Sequence, residues 1–166
     1  MGLSYKVNVD ATLFVDVRGS GFGVVVRNEW AEVMASLTAR GPTIQDNEEA
    51  EVLAYQKVLE FAVDASFMDV VLEGDNRSVM RSISTGSANC SRLGHIYEDI
   101  RCLATGLRSF SVNFVKLSAN TVAQSLGRFA RNVDDELIWL EESPPLTPSY
   151  PFVRKGVSLC FTSRFI

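Results

Sequence analysis

The chain has 166 residues, 46% hydrophobic and 22% charged, with 16 basic and 20 acidic side chains and a net charge of −4. That length suits one domain with a core of its own. The composition excludes disorder for the bulk of the chain, a collagen-like repeat and a disulfide scaffold. No run of about 18 apolar residues occurs, so no membrane span is expected.

The charge is unevenly spread. Arg154, Lys155 and Arg164 lie near the end, which leaves residues 1–143 with 13 of the 16 basic residues against all 20 acidic ones, or −7. A protein that coats DNA without specificity is basic. An acidic domain that handles nucleic acid has to place much of its negative charge on metal ions. Cys90, Cys102 and Cys160 are odd in number and irregular in spacing, which gives neither a disulfide framework nor a zinc motif. The N-terminus has no basic stretch leading into an apolar one, so no secretory signal is expected. Lys6 stands where a myristoylation motif needs Ser or Thr. A reducing intracellular compartment is expected, nuclear or cytoplasmic.

In chain order, Lys6–Ala11 alternates polar and apolar and predicts a strand. Gly19-Ser20-Gly21-Phe22-Gly23 feeds the β-branched run Val24–Val26, a second strand. Arg27–Trp30 reads as a turn and Glu32–Thr38 as a third strand, giving an antiparallel meander. The glycines either accommodate tight backbone or mark a sheet edge that a substrate strand approaches. Asp46-Asn47-Glu48-Glu49 is a helix start, and Ala50, Leu53, Ala54, Val58, Phe61 and Ala62 follow as one apolar stripe. Phe67–Glu73 predicts a short buried strand, ended by Gly74-Asp75-Asn76. Ser78–Ser84 reads as helix, Gly86–Ser91 as loop, and Leu93–Leu107 as a second long helix. Phe110–Lys116 alternates again, and Asn120–Arg131 reads as a last helix. The order is β-β-β-α-β-α-α-β-α, an α/β domain with a mixed sheet and helices on its faces. From Glu141 the pattern degrades, and residues 144–166 are expected as a mobile tail with enough apolar content to dock. Trp30 and Trp139 are expected to pack, and His95 to lie on or between helices.

Three carboxylates stand out by placement: Asp10 inside the first strand, Glu51 in the first turn of the first helix, and Asp75 just past the fourth strand. Charge at strand interiors and ends costs desolvation unless something neutralises it. Hard cations such as Mg²⁺ take oxygen ligands from a few carboxylates, water and phosphate. Three convergent carboxylates would suit two-metal phosphodiester hydrolysis. Each also has a plain structural reading: Asp10 as a strand-end polar residue, Glu51 as a helix-dipole partner, and Asp75 as a turn former or cap.

Four segments in order carry a family resemblance: Lys6-Val7-Asn8-Val9-Asp10-Ala11, Glu49-Ala50-Glu51-Val52-Leu53-Ala54, Leu72-Glu73-Gly74-Asp75-Asn76 and Ser118–Leu126. Together they resemble the ribonuclease H type-1 family, specifically the plant domains related to reverse transcriptases of non-LTR retrotransposons. The resemblance implies the ribonuclease H-like fold over residues 5–132, with a five-stranded mixed sheet in the order 3-2-1-4-5 flanked by helices. Residues 133–166 are then a C-terminal extension, partly disordered. It also implies that Asp10, Glu51 and Asp75 bind two Mg²⁺ ions, which Mn²⁺ can replace. The family's fourth ligand is an acidic residue, or His in many plant members; here Gln124 stands there, so the second ion is expected to bind weakly. Many members also carry a His on the loop before the last helix, and Lys116–Asn120 holds none.

The implied partner is an RNA–DNA hybrid or RNA, bound by a monomer. Asn47 is a candidate for 2′-hydroxyl contact. Asn76 and Arg77 could reach a phosphate or could cap and solvate the next helix. Two functions stay open: metal-dependent hydrolysis of the RNA strand of a hybrid, or a catalytically inactive, transposon-derived binding or interaction module. The start on the first strand is expected of a chain trimmed from a larger protein.

Overall fold

The computed structural model describes residues 3–86 and 92–140. Strands β1 (Tyr5–Phe14), β2 (Gly19–Arg27) and β3 (Val33–Gly41) form the expected antiparallel meander. Helix α1 (Asn47–Asp64), strand β4 (Asp69–Gly74), helices α2 (Arg77–Thr85) and α3 (Gly94–Thr105), strand β5 (Ser109–Phe114) and helix α4 (Thr121–Phe129) follow in the predicted order. One strand is added, β6 (Glu136–Leu140), and short 3₁₀ turns lie at Leu117–Ala119 and Ala130–Asn132.

The five expected strands lie in the expected order, but the described sheet has six, arranged β5-β4-β1-β2-β3-β6. The extra strand comes from residues 133–166, read from sequence as an extension. Leu137-Ile138-Trp139-Leu140 is apolar without alternation, so it lacks the period-two signature of a half-buried strand. Tertiary pairing makes it one: Ala35 to Ala39 of β3 face Leu140 to Glu136. Lys57 of α1 closes on Glu136 at 2.8 Å, with the Glu136 side chain only 6% exposed. The rest of that extension, residues 141–166, and residues 87–91 of the expected loop lie outside the described residues.

Strand alternation sorts the sheet into two faces. Val7, Val9, Phe22, Val24, Val26 and Leu37 pack against α1 through Val52, Tyr55, Val58 and Leu59, the main core. Burial of each such aliphatic side chain contributes about 1.5–3 kcal/mol. Helix α1 contacts both the sheet and α3. Its buried face is therefore wider than the predicted stripe: Tyr55 and Leu59 are fully buried, while Leu53 and Phe61 are half-buried. Asp46 caps the helix by accepting from the Glu49 N–H at 2.9 Å, and Glu48 and Glu49 suit its first turn.

The opposite face carries α4 and the short 3₁₀ turn Ala130–Asn132 that continues it. Ala123, Leu126 and Ala130 are buried there with Val25, Ser36 and Thr38, and Thr38 donates to the Leu126 carbonyl at 2.6 Å. Of the two readings open for the β2 glycines, close backbone approach is realised. A Cβ on Gly23 would lie 1.9 Å from the Ala123 carbonyl oxygen, and one on Gly21 would lie 2.2 Å from that of Gly127.

Trp30 does not pack as expected; it is 67% exposed. Its turn is held instead by Asn28, whose side-chain oxygen accepts from the Trp30 and Glu32 N–H groups at 3.0 and 2.9 Å. Trp139 is half-buried on β6, and His95 is exposed on α3. Among the described residues no helix is long and apolar enough to cross a membrane.

Gly23→Ala is expected to force α4 off the sheet at a cost of about 3 kcal/mol. Urea unfolding checks this, with an unchanged midpoint counting against the close approach.

Candidate metal centre

Strands β1 and β4 run parallel, with Tyr5 beside Val70 and Asn8 beside Glu73. Carried two residues further, that register sets Asp10 beside Asp75, just past the end of β4. Helix α1 lies against β1 and brings Glu51, which falls at the start of its second turn rather than in the first as expected, because the helix begins at Asn47. One carboxylate oxygen from each of Asp10, Glu51 and Asp75 lies within 4.8 Å of the others. Asp10 and Glu51 are 6% and 8% exposed, and Asp75 is half-buried.

Such a cluster is electrostatically unfavourable by itself. Burial, then the Asp75 charge, raise the Asp10 carboxyl from 3.8 to about 7, against opposing pulls from the Arg128 guanidinium and the Thr12 hydroxyl. Burial, then Asp10 and Asp75, raise Glu51 from 4.5 to about 8, partly offset by Tyr55 and the Ala11 N–H. Tyr55 itself is pushed well above 10.0, mainly by burial and next by the Glu51 charge. Glu51 Oε2 and Tyr55 Oη are both buried without a well-formed hydrogen bond. An orphaned carboxylate oxygen beside two further carboxylates, all hard oxygen donors, fits a divalent cation.

The approach of α4 completes the surroundings. Asn120, just before the helix and 1% exposed, donates to the Val9 carbonyl at 2.8 Å and accepts from Asn8 at 3.3 Å. Asn8 also donates to Glu73 at 3.1 Å and accepts from Arg27 at 3.0 Å. This network ties the start of α4 to the residues flanking Asp10. Gln124 is half-buried in the first turn of α4. It stands four residues before Arg128, on the same helix face, and Arg128 is the cation felt by Asp10.

The other sequence candidates lie around this centre without joining it. Asn47 is exposed at the first position of α1, one turn from Glu51 on the same face. Asn76 caps α2, its oxygen accepting from the Val79 N–H at 3.2 Å, and Arg77 is exposed at the helix start. Sequence reasoning passed over Tyr55, Arg128 and the Asn8–Asn120 pair. The i, i+4 spacing of Glu51 with Tyr55 and of Gln124 with Arg128 was the available signal; the asparagine pair, 112 residues apart, left none.

Two outcomes are expected in solution. Folded Asp10 and Glu51 hold protons that the unfolded chain releases, so their contribution to metal-free stability is fully present below about pH 4 and is lost as pH rises through about 7 to 8. The loss is about 2 kcal/mol or more, a Tm drop of several degrees that Asp10→Asn reduces. Mg²⁺ recovers more Tm near the top of that range than near its bottom, and a flat profile in chelator would contradict the anionic cluster. Asn120→Ala leaves the Val9 carbonyl and Asn8 short of a partner and costs about 1–3 kcal/mol in urea unfolding.

The reverse transcriptase-like family profile matches residues 8–130. Among solved structures, ribonuclease H1 of the archaeon Halobacterium salinarum is similar over 78% of this chain and 98% of its own, at 23% identity and a TM-score of 0.71. The N-terminal RNase H domain of a Mycobacterium tuberculosis protein is similar over 79% of this chain and 95% of its own, at 21% identity and a TM-score of 0.68. LC11-RNase H1, solved with an RNA/DNA hybrid, is similar over 78% and 97%, at 16% identity and a TM-score of 0.63. No curated protein matches the chain. The likeness to solved structures supports the ribonuclease H-like fold, and by its matching profile the chain belongs to the reverse transcriptase-like family.

Proposed function

We propose that this domain hydrolyses the RNA strand of RNA–DNA hybrids with divalent metal, Mg²⁺ or Mn²⁺, held by Asp10, Glu51 and Asp75. The observation that carries this reading is the meeting of these three carboxylates within 4.8 Å at the end of a parallel strand pair. When bound, the metal supplies Lewis-acid activation of water and offsets charge on the phosphodiester. The chain's own residues set the conditions for that. Burial around Asp10 and Glu51 makes their charge costly until a cation or a proton joins them. Tyr55, fully buried beside Glu51, excludes water from one side of the centre. Asn47 offers a polar group one helical turn away, in reach of a sugar hydroxyl. That a structural neighbour, LC11-RNase H1, was solved with an RNA/DNA hybrid supports the choice of substrate.

Gln124 favours a second reading. Its amide is neutral, so the centre has three charges where the resembled family has four, and the second ion is held weakly. Together with the histidine-free segment Lys116–Asn120 and the −7 charge of residues 1–143, it supports a binding module that has lost turnover. We place the chain's origin with plant ribonuclease H-like domains related to retrotransposon reverse transcriptases, and its state as an intracellular monomer.

Cleavage of a labelled hybrid separates the two. For an active enzyme, EDTA abolishes cleavage, and Asp10→Asn lowers it about a hundredfold or more. Gln124→Asp raises cleavage and tightens Mg²⁺ about tenfold. Activity that appears only in Gln124→Asp identifies a disabled enzyme, and hybrid binding with no cleavage by any variant supports the module.

A further inference from the structure

The parallel register of β4 and β5 sets Phe114 beside Gly74, one residue before Asp75, and the Val115 N–H donates to the Gly74 carbonyl at 2.9 Å. Phe114 is 41% exposed, on the edge strand of the sheet. Arg77, at the start of α2, lays its guanidinium over this ring, 4.4 Å from the centroid. Among the described residues no carboxylate pairs with Arg77, whereas Lys57, Arg92, Arg101, Arg108 and Arg131 each have one. Lys116, two residues beyond Phe114, is exposed and likewise has no carboxylate partner among the described residues. A guanidinium stacked on an aromatic face keeps its edge donors directed outward. In a domain this acidic, an unpaired arginine fixed beside the carboxylate centre is complementary to an anion brought to that centre.

We infer that Arg77, positioned flat by Phe114, binds a backbone phosphate of the nucleic acid next to the one presented to Asp10, Glu51 and Asp75. The inference rests on the proposed nucleic-acid substrate and assigns it an additional anchor. The ring acts through the arginine. By holding the guanidinium in one orientation it lowers the ordering cost of the phosphate contact. Lysine, a point charge on a flexible stem, cannot use the ring in the same way.

Binding of a short fluorescein-labelled RNA–DNA hybrid, followed by anisotropy in Ca²⁺ over a salt series, tests this without turnover. Arg77→Ala is expected to weaken affinity about fivefold or more and to reduce the salt slope by about one unit. Phe114→Ala weakens affinity about threefold, Phe114→Trp restores it, and Arg77→Lys keeps the slope while losing affinity. Arg108→Ala removes a charge from the far end of β5 and leaves both unchanged. Wild-type binding that is indifferent to Arg77→Ala and Phe114→Ala overturns the anchor alone. A loss of affinity with no change in slope means the guanidinium stacks on a base, and overturns the phosphate assignment. No binding by the wild type at any salt overturns the anchor together with the proposed substrate.

Discussion

Mutual repulsion among three partly desolvated carboxylates is the constraint around which this domain is arranged. Asp10, Glu51 and Asp75 come from a strand, a helix and a strand end, and nothing local holds them together. The parallel β1–β4 pairing and the packing of α1 on the main core oppose their separation. The cost, of burial first and of mutual repulsion second, appears in the upward shifts of Asp10 to about 7 and Glu51 to about 8. A fold that tolerates such a cost at one end of its sheet stores a standing attraction for cations there.

Helix α4 matters for a different reason. It packs on the sheet face opposite α1, and its contact depends on the absence of side chains at Gly21 and Gly23. Asn120 then fixes the helix start against β1 through its buried carboxamide, which donates to the Val9 carbonyl and accepts from Asn8. This close seating brings Arg128 near enough for its charge to act on Asp10, with Gln124 one turn earlier on the same helix. With a neutral amide at one position and a guanidinium at the other, this side of the centre adds no anionic ligand.

Outside the centre, the described cations differ in their partners. Several are matched to carboxylates on helices and strand ends, where exposed pairs contribute little. Arg77 and Lys116 lie near the carboxylates without such partners. An acidic domain can attract a polyanion only through local basic features.

Much of this was legible in the residues themselves. The order of elements, the meander and the three carboxylates follow from periodicity, caps and turn residues, which act over a few positions and leave their pattern in the chain. The four ordered segments pointed to the family for the same reason. Strand β6 was not legible, because an apolar run without alternation becomes a strand only when β3 offers it an edge. The exposure of Trp30 was hidden because Asn28, not the indole, holds its turn. The Asn8–Asn120 pair and the seating of Phe114 under Arg77 join residues far apart in the chain. Sequence alone determined which groups carry charge and which segments become helix or strand, since those depend on local chemistry. Only the tertiary structure decided that the charges meet, how deeply they are buried and what lies beside them, since desolvation and pairing arise when distant segments pack.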